Sequence, residues 1–192
     1  MQRGLVQERI QEMMRDSGAL LEGHFLLSSG LHSSNYLQCA LLLRFPAYAA
    51  FAAQEIARLA EKLQPTIVVA PALGGLIIGH EVARALNIPF IFCEREEGKM
   101  KLRRFPFPEK AGALVVEDVI TTGGSVQEVG DFLLNGGAQW LATACIVYRN
   151  GGKHILPHEP LSLWNVSFPV YRPEECPYCA KGIPWQKPGS RK

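Results

Sequence analysis

A chain of 192 residues, 47% of them hydrophobic, is long enough to bury a real core within one medium domain. A net charge of +2 without a basic run or stripe argues against a dedicated nucleic-acid surface, and no apolar stretch reaches membrane-spanning length. Five scattered cysteines and the lack of a basic-then-apolar leader point to a reducing cytoplasm.

The first predicted element is a helix over residues 5–15, with Leu5, Val6, Ile10, Met13 and Met14 in helical spacing and Ser17-Gly18 as its stop. Residues 26–38 (LLSSGLHSSNYLQ) carry turn chemistry at Ser29-Gly30 and alternation at Tyr36 and Gln38, the mark of a hairpin or of a loop and strand. A long Ala-rich helix is expected over 45–63, with Pro46 at its start and Pro65 beyond its end. Residues 66–70 (TIVVA) read as a buried strand, followed by a glycine turn at 71–75 (PALGG) and a helix over 76–86. Residues 89–93 (PFIFC) form the next strand. The chain then changes abruptly to charge over 94–110, a solvated hairpin by composition but long enough to be a functional loop.

Residues 113–126 (ALVVEDVITTGGSV) carry the densest chemistry. Ala113 to Val116 reads as a buried strand, and Glu117 and Asp118 sit where it ends. Val119 and Ile120 lead into the small hydroxyl-rich turn Thr121, Thr122, Gly123, Gly124, Ser125, and a helix follows over 126–134. A strand, a glycine turn and a helix N-terminus make an anion site, because backbone N–H groups and the helix dipole point at the turn. Carboxylates repel phosphate, so an acidic pair at the loop entrance suits a ribose diol with phosphate further along. Residues 140–148 form a further strand, ending at Arg149 before the turn 150–152, and a last strand is expected within 160–170. An arginine at a strand end on the loop edge matches a planar carboxylate.

The segment VVEDVITTGGS resembles the phosphoribosyl-pyrophosphate (PRPP) loop of type I phosphoribosyltransferases. The segment from Leu26 is similar to the SSGxxSxxY stretch of orotate phosphoribosyltransferases, with Ser28 where that family carries a lysine and Tyr36-Leu37 where it carries two aromatics. The resemblance implies an α/β fold: a mainly parallel sheet flanked by helices, with residues 1–40 and 160–192 contributing a small hood to one domain. It implies the reaction of orotate with PRPP to give orotidine 5′-monophosphate and pyrophosphate, in a cytoplasmic homodimer. Magnesium is expected as a cofactor carried by PRPP, with no direct protein ligand.

The same resemblance implies roles for residues of this chain. Glu117 and Asp118 would hold the ribose diol, and Val119 to Ser125 the 5′-phosphate, with Thr121 also near the base. Leu73, Gly74 and Gly75 correspond to the pyrophosphate loop, Gly74 standing where many orotate enzymes have a lysine. Arg95 and Lys99 align with basic residues brought to pyrophosphate, commonly across a dimer interface, with Arg103 and Arg104 as substitutes for missing charge. Arg149 would anchor the orotate carboxylate. Catalysis would rest on Arg95, Lys99 and Asp118.

Two other functions stay open at this stage. One is a phosphoribosyltransferase for a purine base; the other is a PRPP-binding regulator without turnover. Cys176-x-x-Cys179 has the spacing of half a zinc site. No second pair is visible in the chain: Cys39, Cys93 and Cys145 fall in or beside core elements, and His154 and His158 lack regular spacing. Two tails in a dimer would be needed to close a four-cysteine site. Similar tails occur in bacterial orotate enzymes, so the pair is read as a subfamily mark rather than a metal site.

Overall fold

The computed structural model describes residues 2–27, 29–149 and 155–188. Ser28, the turn 150–152 and His154 lie outside the described residues. Helix α1 (Gln2–Asp16) buries Ile10, Met13 and Met14 along one stripe, and the Ser17 hydroxyl donates to the Met13 carbonyl at 2.7 Å where it ends. Strands β1 (Leu20–Leu26) and β2 (His32–Leu37) then pair antiparallel. A short helix α2 (Cys39–Leu43) precedes α3 (Pro46–Ala60), which starts on a proline whose missing N–H costs nothing at that position. The predicted helix over 45–63 finishes as a 3₁₀ turn, Glu61–Leu63, ahead of β3 (Ile67–Pro71).

Helix α4 (Gly75–Leu86) closes on Asn87, whose left-handed backbone lets its N–H reach the Ala83 and Arg84 carbonyls. Strand β4 (Phe90–Glu96) turns through Glu97 (φ 49°) and Gly98 (φ 80°) into β5 (Lys99–Lys101). Two consecutive positive φ values are the mark of a tight hairpin turn. The charged segment therefore begins as an ordered antiparallel ribbon rather than as a free loop. Strand β6 (Gly112–Ile120), helix α5 (Gly124–Asn135), β7 (Gln139–Arg149) and β8 (Leu161–Val166) complete the core. The last predicted strand divides, its second part being β9 (Val170–Tyr171); a 3₁₀ turn and the short helix α6 (Pro177–Ala180) follow.

Six strands make the main sheet in the order β5-β4-β3-β6-β7-β8, parallel throughout except for β5. A parallel strand covered on both faces is apolar on both, and all five residues of β3 are buried. Alternate residues feed two cores. Val68, Leu114 and Val116 pack with α1, α3 and α4; Val69, Ala113 and Val115 pack with α5. The fold is thus the α/β sandwich expected, with the hood present as a separate three-stranded sheet β1-β2-β9.

The connection from β3 through α4 goes to β4 on one side, whereas β6 lies on the other side of β3. The chain direction across the sheet reverses there. Loops leaving β3 and β6 at their C-terminal ends consequently separate and open a crevice, the usual ligand site of such sheets.

Candidate active site

Strand β6 outruns its neighbour. Its pairing with β3 ends at Val69 opposite Val115, yet β6 continues to Ile120 on the support of β7. The acidic pair therefore belongs to the strand and does not follow its end, a correction to the sequence expectation. Amides that lose the β3 ladder need other acceptors. Asp118 N–H donates to Glu117 Oε1 at 3.0 Å, and Val119 N–H donates to Asp118 Oδ1 at 2.7 Å. The backbone itself thus holds both carboxylates at the crevice.

The turn after β3 lies directly against them. Ala72 N–H donates to the Cys93 carbonyl at 2.8 Å, and the Ala72–Leu73 peptide is cis. A Cβ on Gly74 would stand 2.8 Å from Asp118 Oδ1 and 3.0 Å from Glu117 Oε1; on Gly75 it would stand 2.8 Å from the Val116 carbonyl oxygen. The loop backbone rests on the carboxylates, so a side chain at Gly74 would have to displace them. Leu73, by contrast, points its side chain outward and is 83% exposed.

Burial raises the pKa of Glu117 well above its ordinary value, and the neighbouring Asp118 charge adds to this. Burial also raises Asp118, with the Glu117 side-chain hydrogen bond pulling it back. Two carboxyls buried side by side disfavour carrying two negative charges, and a cation, or a ligand bearing hydroxyl donors, would relieve that.

The turn after β6 supplies the opposite character. Gly123 has φ 88° and caps α5 with no side-chain hydrogen bond, so the first N–H groups of α5 are left for a ligand. A Cβ there would also meet the Leu156 side chain at 2.7 Å. Glu117, Val119, Ile120, Thr121, Thr122, Gly123, Gly124 and Ser125 line one pocket of about 570 Å³, together with Arg95, Val126 and Glu128. That volume suits a small ligand.

Arg95 reaches this pocket from β4, held by Glu128 of α5 at 2.9 Å and by the Gly98 carbonyl. Lys99 stands on β5 and is not among the pocket residues. The remaining charges of the ribbon neutralise one another. Lys101 pairs with Glu96 at 2.7 Å, Arg103 with Glu96 at 3.2 Å and Arg104 with Glu94 at 2.7 Å. Arg103 and Arg104 thus pair within their own ribbon.

Arg149 ends β7, one residue past the Ile120–Tyr148 pairing, and so stands beside the start of the phosphate turn. Among the described residues, ion pairs engage Arg9, Arg58, Arg84, Arg95, Lys101, Arg103 and Arg104 and leave out Arg149. It is half-buried, with its guanidinium 5.8 Å from the Phe168 ring centre. Burial lowers its pKa, and charge at Tyr36 of the hood opposes that shift. A half-buried guanidinium without a carboxylate partner can receive an anion. The sequence missed Glu128, which lies one helical turn beyond the glycine turn where the helix period would have placed it; Phe168 reads in the sequence only as an inward residue of the last strand, with no signal for its contact with Arg149.

Residues 43–156 match the phosphoribosyl transferase domain family. The orotate phosphoribosyltransferase of Thermotoga petrophila is 50% identical over 186 residues, covering 95% of this chain and 98% of the relative. That of Caldicellulosiruptor saccharolyticus is 48% identical over 94% of this chain and 95% of its own. The crystal structure of orotate phosphoribosyltransferase from Aeropyrum pernix superposes with a TM-score of 0.70 at 25% identity, over 81% of this chain and 92% of that one. With half its residues shared over nearly its full length, the chain belongs to the orotate phosphoribosyltransferases, pentosyltransferases of the type I phosphoribosyltransferase fold.

Proposed function

We propose that the protein transfers the 5-phosphoribosyl group of PRPP to N1 of orotate, giving orotidine 5′-monophosphate and pyrophosphate, a step of pyrimidine synthesis. The observation that carries the substrate choice is Arg149, a half-buried guanidinium beside the phosphate turn and outside every ion pair of the described residues. Orotate is a pyrimidine with one carboxylate, and a guanidinium fork binds a carboxylate through two parallel hydrogen bonds.

The remaining roles belong to the same proposal. The uncapped N-terminus of α5 and the hydroxyls of Thr121, Thr122 and Ser125 hold the 5′-phosphate, with Thr121 nearest the base. Glu117 and Asp118 hold the ribose 2′ and 3′ hydroxyls. The C1–O bond of PRPP breaks with its electron pair leaving on pyrophosphate, and the ionised N1 of orotate supplies the pair for the new bond. No general base is required. Positive charge develops on the ribose beside the buried acidic pair, which stabilises it electrostatically. Magnesium, carried by PRPP with no direct protein ligand, would supply neutralisation of the leaving-group charge. Backbone N–H groups at Leu73, Gly74 and Gly75, with Arg95 and Lys99, receive the pyrophosphate. For Arg95 this means exchanging Glu128 for phosphate.

The test is the ultraviolet loss of orotate with purified protein, PRPP and magnesium, run beside adenine, guanine, hypoxanthine, xanthine and uracil. Turnover of orotate alone is expected. Turnover of a purine instead would overturn the substrate, and PRPP binding without turnover of any base would make the protein a regulator.

The proposal includes a cytoplasmic homodimer. The five cysteines are free, as in a reducing compartment. Lys99, on the ribbon but outside its own pocket, is the residue that a partner would receive. Mixing Lys99→Ala with Asp118→Asn protein is expected to restore part of the activity that each variant lacks. No recovery after demonstrated subunit exchange would place the whole site in one chain.

A further inference from the structure

The hood gathers four side chains that the reaction does not use. His24 comes from β1 and His32 from β2, strands that the hairpin places side by side. Cys176 and Cys179 come from the tail, on either side of the first turn of α6. Their ligand atoms lie within 4.8 Å of one another. His24 Nε2 and His32 Nδ1 are 2.7 Å apart; Cys176 Sγ is 3.4 Å and Cys179 Sγ 3.8 Å from His24 Nε2; Cys179 Sγ is 3.3 Å from His32 Nδ1. Two histidines of the same chain, some 150 residues away, thus lie beside the cysteine pair for which the sequence analysis found no second pair.

We propose that His24, His32, Cys176 and Cys179 bind one zinc ion per chain in a closed tetrahedral site that locks the tail onto the N-terminal hairpin. Zinc–nitrogen bonds of about 2.0–2.1 Å and zinc–sulfur bonds of about 2.3 Å put neighbouring tetrahedral ligand atoms about 3.3–3.8 Å apart. Three of these four contacts already fall near that range, the two imidazoles need to part slightly, and all four ligand atoms lie within 4.8 Å of one another. Two nitrogens and two sulfurs are the donor set that favours zinc over magnesium or calcium.

The surroundings are those of a metal site. His24 Nδ1 lies 2.7 Å from the Ile183 carbonyl oxygen. A carbonyl only accepts, so Nδ1 carries the proton and the Nε2 lone pair faces the cluster. The His24 ring stacks on Tyr178 at 5.3 Å, which fixes its plane. Both histidines and Cys176 are buried, while Cys179 stands at the solvent edge and gives an ion its way in. Four protein ligands leave no open position, so the ion is structural rather than catalytic. The site sits in the hood at one end of β2, whose Ser33 hydroxyl donates to the Pro169 carbonyl beside Phe168, the ring that Arg149 faces.

The experiment is metal analysis of the purified, reduced protein, followed by cobalt titration after chelation. About one zinc per chain is expected, and cobalt should give the visible bands of a tetrahedral centre with a thiolate-to-cobalt band in the near ultraviolet. Chelator should lower the melting temperature of the wild type. Cys179→Ser, at the exposed ligand, should keep the fold by circular dichroism, lose the thiolate band by about half or entirely, and lose the chelator effect on melting. No bound metal and no cobalt band with both thiols verified free would overturn the site. So would half an ion per chain, which means a shared site between two tails, or a Cys179→Ser spectrum equal to the wild type.

Discussion

Replacing Asp118 by asparagine is expected to lower kcat by about 10²–10³-fold, the usual cost of removing one preorganised electrostatic group from an active site. The amide keeps the shape and still accepts from Val119 N–H, so the 2.7 Å bond that positions the side chain survives. What disappears is negative charge beside the ribose as it becomes cationic. Stability should move the other way. Burial raises both acids above their ordinary values of 4.5 for Glu117 and 3.8 for Asp118. An acid whose folded pKa exceeds its unfolded one binds its proton more tightly when folded. Its contribution is then most favourable below the unfolded pKa and declines as pH rises towards the folded pKa. The asparagine variant escapes that decline, so its melting temperature should match or exceed the wild type at neutral pH and lose the advantage in acid. Melting curves across pH and steady-state rates check both halves. Unchanged kcat would remove the acidic pair from the mechanism, and a lower melting temperature at neutral pH would show that the pair stabilises the fold.

The second large effect is expected at Arg149. Hydrogen bonds to a charged partner contribute about 1.5–3 kcal/mol, so Arg149→Ala should raise the orotate KM by about 10²-fold while the PRPP KM changes little. Arg149→Lys should recover only part of the loss, because an ammonium cannot reproduce the two parallel bonds of a guanidinium. Folding should hardly respond, since the described residues give Arg149 no ion pair and its contact with Phe168 is a cation–π interaction worth about 0.5–1 kcal/mol. Equal rises in both KM values would count against a carboxylate anchor and in favour of a general disturbance of the crevice.

Much of this site was legible because its signals are local. The strand, glycine turn and helix of residues 113–134 lie in one continuous stretch, and so do those of 66–86. The length of β6 was not legible. Glu117 and Asp118 look like the end of a strand to any pattern of apolar residues, and only β7 alongside shows that pairing continues to Ile120. Gly74 looked like a lost lysine until the backbone was seen lying on two carboxylates. The charges of 94–104 marked a hairpin but not its pairings, because ion pairs such as Arg104–Glu94 depend on the ribbon's register, which the Glu97-Gly98 turn sets. His24 and His32 were passed over for a different reason. Each is an ordinary strand residue alone, and what makes them a pair with Cys176 and Cys179 is a tertiary contact across most of the chain.

The hood's composition also bears on the order in which the protein is made. Its first two strands leave the ribosome early, but a lone two-stranded ribbon is at best marginally stable in water. The third strand, Val170–Tyr171, pairs with His32 and Ser33, and Gln186 bridges to Phe25. Both arrive only after the entire six-stranded sheet has been synthesised. The catalytic sheet is therefore free to fold during translation, whereas the cover over Arg149 is assembled last, once residues 170–186 have cleared the exit tunnel. A nascent chain stalled short of that point would display a finished phosphate turn beneath an unfinished roof.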